Sequence, residues 1–542
     1  MNKLLVLMLA LLTIVPVVYG YDFEVDGICY SFIDNTSVSV AARVPQNGGG
    51  YDLIGAVVIP NTVIFNNKPY TVKEIGYGAF RFCWITSISL PNTITSIQSA
   101  AFEECTNLTY IDFPESLKSI GNDAFYGCTS LQGDLVIPGG VEYIAGGAFS
   151  GCDSIKTVYF YPKELTSEGN PFPMSVEQIF LTDSLQAIPA RFFRNLNKLT
   201  SLTIPKSVKS IGQYAFEGCT GIKQLTWNAV RPTLGLYNSL PPSANIEQLT
   251  FGDEVEYIPD YIAEGSKITS IVIPNSVKEI STAAFKDCEN LASVTLGNSL
   301  TRLCNEAFMN CSQLTSITIP ASVSDIFTGK YGTFRGCSNL SSINVEVGNS
   351  VFNSQDNCNA IIMTETNELI VGCNNTIIPN SVKIIGSYAF ENCNEITQVV
   401  FPDELTTISS GAFSGCTGLS EITIPMTVLD IKDQAFAGCT GLVKITSLAL
   451  RPPRITSGNN GTFYGVSKDI PVYVPKESIQ TYWIASGWSD FNCFYALNET
   501  CDVNNDGVVD ITDVNMVINA MLGKPFDIPT GNQGGNTAPP HK

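Results

Sequence analysis

The chain has 542 residues, of which 44% are hydrophobic, and 50 Asp and Glu against 30 Lys and Arg give it a net charge of −20. This length exceeds one ordinary compact core and predicts several domains or one extended repeat array. In the simplest interpretation the acidic charge serves solubility. Because it also repels phosphate backbones and anionic lipid, it disfavours nucleic-acid and membrane-surface partners.

The first twenty residues are predicted to be a cleaved signal peptide. Lys3 precedes an apolar run from Leu4 to Val18, and Val18 and Gly20 stand where a signal peptidase would cut. The alternative is a membrane anchor, but a run of about 15 apolar residues is short for a span of about 20. No later segment of the sequence is apolar for long enough to cross a bilayer. The sequence therefore predicts an exported protein without membrane insertion.

A repeat with a fixed period follows. Cys393, Cys416 and Cys439 are spaced 23 residues apart, and each closes an Ala-Phe-x-x-Cys stretch. The same spacing joins Cys105 to Cys128. A period of this length predicts a leucine-rich-repeat solenoid, in which stacked copies bury one continuous core.

One repeat illustrates how its positions are used. Leu199 begins the pattern Leu-x-x-Leu-x-Ile-Pro, whose β-branched residues and partial alternation predict a short strand that proline ends. Val208 and Ile211 form a second apolar pair, and a compact turn that ends at Cys219 completes the repeat. The predicted strands begin near Ile85, Leu108, Leu131, Ile155, Leu199, Ile222, Ile246, Ile268, Leu291, Leu314, Leu340, Ile396, Leu419 and Leu442.

Two stretches, 161–180 and 344–374, interrupt the period and are predicted to be loops on one face. The predicted fold is mostly β, a curved solenoid with a period of about 23 residues. Each repeat is expected to place one short strand on the concave face and a turn or short helical segment on the convex side.

The repeated pattern also carries a family resemblance. Leu-x-x-Ile-x-Ile-Pro, Val-x-x-Ile-Gly and Ala-Phe-x-Gly-Cys recur over residues 70–466, and together they resemble the BspA-like class of bacterial leucine-rich repeats. The segments that begin at Tyr21 and Val472 also resemble flanks of that class, and they imply an N-terminal cap over 21–69 and a C-terminal cap over 467–496. The resemblance implies a surface protein that binds host or neighbouring-cell proteins.

Seventeen cysteines in an exported chain would ordinarily suggest disulfides. Eleven occupy the repeat position, where side chains of adjacent coils are parallel and miss the facing Cβ geometry of about 3.8 Å that a disulfide needs. We therefore expect these eleven to be buried free thiols that act as small hydrophobic groups. Among the others, Cys358 with Cys373 is the candidate disulfide, which would hold the 344–374 insertion.

A calcium-binding loop is predicted after the C-terminal cap, within residues 499–524. Its side-chain oxygens occupy positions 1, 3, 5, 9 and 12 of the loop, a glycine occupies position 6, and a backbone carbonyl is offered at position 7. This spacing wraps the six to eight oxygens that a hard cation needs around one ion. The predicted ligands are Asp502, Asn504, Asp506, Val508 (carbonyl), Asp510 and Asp513.

Apolar residues at helical spacing follow the loop up to Gly523 and Pro525. The unit resembles a dockerin half-repeat, which implies calcium as cofactor and a cohesin-type scaffold as partner, although that family normally carries two such units and this sequence shows one. The alternative is an acidic surface turn without metal. Residues 525–542 are predicted to be a disordered tail.

The composition argues against an enzyme. The single histidine, His541, lies in the predicted tail, and both Ser-His-Asp triads and His-ligated zinc sites need a positioned imidazole. Paired carboxylates could hydrolyse glycosides, but the acids are scattered and the solenoid implies no closed pocket.

The predicted concave face carries mostly small polar residues, among which Tyr110 and Tyr159 are the visible aromatics. Interfaces depend on such anchors, so the two tyrosines are candidate ligand contacts, two strands and about 10 Å apart. The alternative is plain surface tyrosine. The sequence thus predicts an exported cell-surface or extracellular adhesion protein that contacts an extracellular protein or glycan. A structural component that docks to a scaffold through its calcium segment is the alternative function.

Overall fold

A computed structural model describes residues 20–43, 53–167, 169–237 and 239–497. The predicted signal peptide, calcium segment and tail lie outside the described residues. The chain divides into two compact units, Met1–Tyr257 with Ser266–Ile268 and Ile258–Gly265 with Thr269–Lys542. Each unit is a stack of repeat coils, and the chain has the mostly β solenoid fold that the period predicts.

The first unit opens with strands that are longer and more varied than those of the repeats. They are β1 (Phe23–Val25), β2 (Ile28–Phe32), β3 (Ser37–Val40), β4 (Ile54–Val58), β5 (Thr62–Phe65) and β6 (Lys68–Ile75). The pairs β1–β2, β2–β3 and β5–β6 are antiparallel, whereas β3 pairs with β6 in parallel. Phe23 stacks on Phe65 with 4.3 Å between the ring centroids. This contact joins the hairpin of β1 and β2 to the hairpin of β5 and β6.

A row of parallel strands follows, one from each coil, which we call the first sheet row. In the first unit it comprises β7 (Trp84–Ser89), β9 (Tyr110–Ile111), β11 (Gly133–Ile137), β13 (Ile155–Phe160), β14 (Gln178–Leu181), β16 (Ser201–Ile204), β18 (Gln224–Trp227) and β20 (Gln248–Phe251). The predicted starts fall within about two residues of these strands, as expected for element ends. The prediction of a loop over 161–180 is wrong at its end, because β14 lies there without the proline and cysteine that mark other repeats.

Most coils also have a second, two-residue strand, and these strands form the second sheet row. In the first unit it contains β8 (Ser96–Ile97), β10 (Ser119–Ile120), β12 (Tyr143–Ile144), β15 (Ala187–Ile188), β17 (Ser210–Ile211) and β19 (Thr233–Leu234). The structure thus adds a strand to the one predicted per repeat. In each pair the isoleucine or leucine faces inward while the backbone bonds to the neighbouring coils, as between Ile97 and Ile120.

The second unit repeats this plan. Its first row contains β22 (Ser270–Val272), β24 (Ser293–Thr295), β26 (Ser316–Ile319), β28 (Ser342–Val345), β34 (Glu421–Ile424), β36 (Lys444–Ser447), β37 (Pro471–Val474) and β38 (Cys493–Ala496). Its second row contains β23 (Glu279–Ile280), β25 (Arg302–Leu303), β27 (Asp325–Ile326), β32 (Ile384–Ile385), β33 (Thr407–Ile408) and β35 (Asp430–Ile431), and β21 (Tyr257–Ile258) lies at the division. The strand predicted near Ile396 is reduced to a single bridge between Gln398 and Glu421.

The 344–374 insertion is more ordered than the predicted loop. It contains β29 (Phe352–Asn353), β30 (Ile361–Met363) and β31 (Glu368–Val371), which pair antiparallel in sequence order. Strand β31 then pairs in parallel with β32, so the insertion joins the second sheet row. The only α-helix in the described ranges, α1 (Ile479–Ile484), precedes β38, and 3-10 turns lie at Gly329–Tyr331, Gln355–Asn357, Gly458–Asn460, Lys476–Ser478 and Trp488–Asp490.

Ladders of identical side chains fill the core. Phe80, Phe102, Phe125 and Phe149 stack in sequence with ring centroids 5.2, 4.9 and 5.0 Å apart. The glycine of the Ile-Gly motif allows the coils to approach closely, since a Cβ at Gly121 would lie 2.4 Å from a backbone nitrogen of the preceding coil. The glycine of the motif is therefore required by the close packing between coils as well as by the shape of the turn.

The repeat cysteines form a second ladder. Every cysteine in the described ranges is a free thiol, which confirms the prediction for the repeat positions and shows that the expected disulfide between Cys358 and Cys373 is wrong. Most of the thiols are more than small hydrophobic groups, because nine of the eleven donate to a backbone carbonyl of the preceding coil. The Sγ of Cys219 lies 2.9 Å from the carbonyl oxygen of Phe193, and the Sγ of Cys439 lies 3.1 Å from that of Phe413. Burial raises the pKa of both thiols to about 12.

An ion pair joins the coils on either side of the insertion in the second unit. The guanidinium of Arg335 donates through two nitrogens to the carboxylate of Glu391, with 2.7 Å between Nη2 and Oε1. The same guanidinium lies 4.6 Å from the ring centroid of Tyr388. The pair is largely buried, and it connects repeats that are far apart in sequence.

Candidate functional site

The outward positions of the first sheet row form the candidate binding face. Side chains alternate along each strand, so the third and fifth positions of the repeat point outward while the flanking Leu and Ile point into the core. In β16, for example, Leu202 and Ile204 are buried whereas Thr203 is exposed. Most residues at these positions are Ser, Thr or Gln, as the sequence predicts.

A strip of larger apolar side chains interrupts this polar face in the first unit. Tyr159 and Phe180 are partners in the register of β13 and β14, and their rings stack with centroids 5.0 Å apart and planes 17° apart. Val136 pairs with Tyr159 from the other side, on β11. Val136 is 44% exposed and Phe180 is 49% exposed. We call Val136, Tyr159 and Phe180 the aromatic step.

The repeat pattern predicts one of the two rings of this step, Tyr159. Phe180 was missed because it lies in the stretch predicted to be a loop. The spacing of Val176, Ile179 and Leu181, which matches the buried positions of other repeats, is the signal that could have located it. All three of these side chains face the core in β14 and its approach, with exposures of 5% or less for Val176 and Ile179.

Tyr110 lies apart from the aromatic step. It is 58% exposed on β9 and occupies the third repeat position, opposite Ser87, whereas Tyr159 occupies the fifth. It borders a shallow depression with Gln132 and Gly133, where β11 carries a bulge. Among the described residues Tyr110 makes no ring contact with Tyr159. The structure therefore does not combine the two predicted tyrosines into one aromatic surface.

Short hydroxyl side chains continue the face beyond the step. Gln178 pairs with Ser201, which places Thr203 beside Phe180 on the next strand. Thr203, Thr226 and Thr250 are then register partners on β16, β18 and β20. We call these three threonines the hydroxyl shelf.

Two lysines beside this face form ion pairs with glutamates. Lys156 lies 4.0 Å from Glu177, and Lys223 lies 3.2 Å from Glu247. Each pair links adjacent strands at the second repeat position. Because all four side chains are solvent-exposed, the pairs contribute little stability, but each lysine charge is balanced by a glutamate of the next strand.

The family is decided by the repeat region. The family model described as BspA type Leucine rich repeat region (6 copies) matches residues 62–172, 172–262, 256–374 and 370–482. The chain belongs to this family. A second family model, Dockerin type I domain, matches residues 500–538. A comparison with curated proteins found no match.

Several solved structures are similar to this BspA-type repeat protein. A leucine-rich repeat protein from Bacteroides ovatus is 26% identical, with 88% of this chain and 100% of that chain covered and a TM-score of 0.44. A leucine rich cell surface protein from Faecalibacterium prausnitzii is 24% identical, with 78% and 94% covered and a TM-score of 0.33. The T. pallidum leucine-rich repeat protein is 25% identical over 40% of this chain and 86% of its own, with a TM-score of 0.27.

The predicted calcium ligands Asp502, Asn504, Asp506, Val508, Asp510 and Asp513 lie outside the described residues but inside the dockerin match. Their donor chemistry fits calcium, since carboxylate, amide and backbone oxygens are the ligands that this hard cation takes. Dockerin type I domains bind calcium, and a dockerin domain implies a cohesin partner. Together the repeats and the dockerin domain of this BspA-type protein indicate a protein-binding or scaffold role.

Nothing in the comparisons points to catalysis, and leucine-rich-repeat families are typically non-enzymatic. Across the part of the chain that the structure describes, no group of three or more His, Cys, Asp or Glu is placed to hold a metal ion. Within the same ranges, no helix has the length and apolar character that a bilayer crossing requires.

Proposed function

We propose that this BspA-type repeat protein is an exported cell-surface or extracellular adhesion protein whose first sheet row contacts a protein or glycan partner. The observation that carries the proposal is the aromatic step. The residues at the same repeat position on β16, β18 and β20 are threonines, which suit a solvated sheet, so solvation alone gives no reason for Tyr159 and Phe180. Exposed aromatic side chains on a rigid surface are the typical anchors of binding sites.

The proposal extends to the dockerin segment. Asp502, Asn504, Asp506, Asp510 and Asp513 would hold calcium through side-chain oxygens, and Val508 through its carbonyl. The ion would fix the loop and so present the following helix to a cohesin-type module. The second candidate function is therefore a scaffold-attached component in which the repeats act as a spacer, and the dockerin match favours it.

Calcium titration of the mature protein by calorimetry tests the segment, with Asp502→Ala/Asp506→Ala as the matched variant. We expect binding by the parent protein and its loss in the variant, because two of the ligand carboxylates are gone. Absence of calcium binding by the parent would refute the proposed metal site.

Partner capture from a surface extract then separates the two functions. The protein is immobilised with and without calcium, beside the double variant and a Tyr159→Ala/Phe180→Ala variant. If capture is lost only in the aromatic variant, the sheet face is the contact. If it is lost only without calcium or in the Asp variant, the dockerin segment is the contact and the adhesion proposal is wrong. Tyr143→Ala, an exposed tyrosine of the second sheet row, is the control.

A further inference from the structure

We infer that the open side of the aromatic step is a subsite for one neutral pyranose ring of a glycan, which would continue the stack above the hydroxyl shelf. The inference rests on the proposed binding role of this face and names the partner class. The structural reason is that the stack of aromatic rings ends at Phe180.

The stack runs across the strands and stops where the next side chain is too short. Tyr159 and Phe180 are register partners with ring centroids 5.0 Å apart, close to the strand spacing of about 4.8 Å. The next position in the same direction is Thr203, which has no ring to add. Phe180 therefore lacks a stacking partner on that side, in agreement with its 49% exposure.

The sheet surface beside Phe180 carries side chains that can form hydrogen bonds. Thr203 and Thr250 are exposed, Thr226 is half-buried, and no described hydrogen bond uses their hydroxyls. Gln178 and Gln224 are exposed at the third position of the flanking strands. Hydroxyls and amides both donate and accept, so this surface suits a ligand whose own groups do the same.

A pyranose ring matches this combination. Its axial C–H bonds form an apolar face that packs on the electron-rich face of an aromatic ring, while its hydroxyls project at the edge. In β-1,4-linked glucose units every ring substituent is equatorial, so that both faces of the ring are flat and carry only C–H bonds. Such a unit would stack on Phe180 and reach the threonine and glutamine groups with its edge.

Charge selects a neutral sugar over an acidic one. Lys156 and Lys223, the cations beside the face, are each paired with a glutamate of the next strand. A carboxylate or sulfate on the glycan would therefore meet no free cation among the described residues of the aromatic step and the hydroxyl shelf, and the chain as a whole is acidic, with a net charge of −20. The face favours a glycan without charged groups.

The size of the step favours a sugar over a protein partner. The three strands of the step span only about 10 Å. A stable protein interface buries about 800 Å² on each side, and a patch of this width covers a small fraction of that area. The surrounding Ser, Thr and Gln offer little of the anchoring that aromatic and arginine side chains give such interfaces. One or two sugar rings need no more than this area.

Calorimetry and saturation-transfer NMR with cellohexaose on the full mature chain test the inference. We expect measurable binding with strongest saturation of the ring C–H protons, and a loss of affinity of about tenfold or more in Phe180→Ala, since truncating a central aromatic anchor has effects of that size. Thr203→Phe should also abolish binding, because it fills the space beside Phe180 and completes the stack. Maltohexaose, whose α-linkages bend the chain, should bind more weakly.

Tyr473→Ala is the matched control. Tyr473 occupies the fifth position of β37 and packs against Tyr495, with ring centroids 5.5 Å apart and planes tilted by 31°, but the threonine beside it, Thr446, is buried and offers no shelf. Its substitution should leave cellohexaose binding unchanged, and circular dichroism melting confirms that all variants fold. Absence of saturation at millimolar cellohexaose, or equal binding by Phe180→Ala, would overturn the inference. If Phe180→Ala nevertheless loses a captured protein partner, the glycan inference fails while the proposed function of the face stands.

Discussion

Replacing a repeat cysteine by alanine and by serine separates two roles of the buried thiol. Cys219 is completely buried, and its Sγ donates to the Phe193 carbonyl at 2.9 Å. The Cys219→Ala variant loses this hydrogen bond, which costs about 1 kcal/mol, and leaves a void near the size of a methyl group, which costs about another 1 kcal/mol. We therefore expect about 2 kcal/mol of lost unfolding free energy.

The Cys219→Ser variant retains a donor of similar reach and loses mainly apolar volume, so its expected loss is about 1 kcal/mol. Urea unfolding followed by circular dichroism measures both values, provided that the slopes agree. Cys439, whose Sγ lies 3.1 Å from the Phe413 carbonyl, gives an independent test in the second unit. The partly exposed Cys493 is the control and should change stability by less than about 0.5 kcal/mol. An alanine variant as stable as the serine variant at both sites would refute the donor role.

Three further predictions follow from the packing. A thiol with a folded pKa of about 12 binds its proton more tightly than the unfolded thiol, whose pKa is about 9. Its stabilising contribution is therefore complete below about pH 9 and is lost progressively as the pH rises towards 12. The melting temperature should fall from pH 9 to pH 11, and less so in Cys219→Ser. Arg335→Ala should cost about 2 kcal/mol in urea unfolding because it leaves the largely buried Glu391 carboxylate without its partner, whereas Lys206→Ala, from a solvent-exposed pair, should leave the unfolding midpoint unchanged. Gly121→Ala should lower the melting temperature by several degrees through its backbone clash, whereas Gly139→Ala, whose nearest neighbour is 3.5 Å away, should not.

The regular repeats were predictable because proline, the Ile-Gly pair and cysteine mark them at fixed spacing. The second sheet row was not, because two residues are too few to show an alternation, and its pairing exists only between coils. Strand β14 lacks both the proline and the cysteine, which is why the prediction placed a loop there and missed Phe180.

The candidate site was predictable only in part for the same reason. Tyr159 could be placed on the face from its position in the repeat, but the stack needs a partner on a strand that the pattern did not reveal. The donor role of the thiols also depends on the carbonyl of another coil, about one repeat away, such as that of Phe193 for Cys219. The residue spacing within one repeat therefore could not predict this hydrogen bond between coils.

The hairpin inside the insertion offers a place to add foreign sequence. Strand β31 supplies the neighbour that β32 needs, so the coils after the insertion stack as if the period had not been interrupted. The turn from Thr364 to Asn367 lies at the tip of β30 and β31 and is largely exposed. A fluorescent reporter or an affinity tag spliced into this turn would replace exposed residues only, and the pairing of β31 with β32 and the strands of the first sheet row would stay as they are.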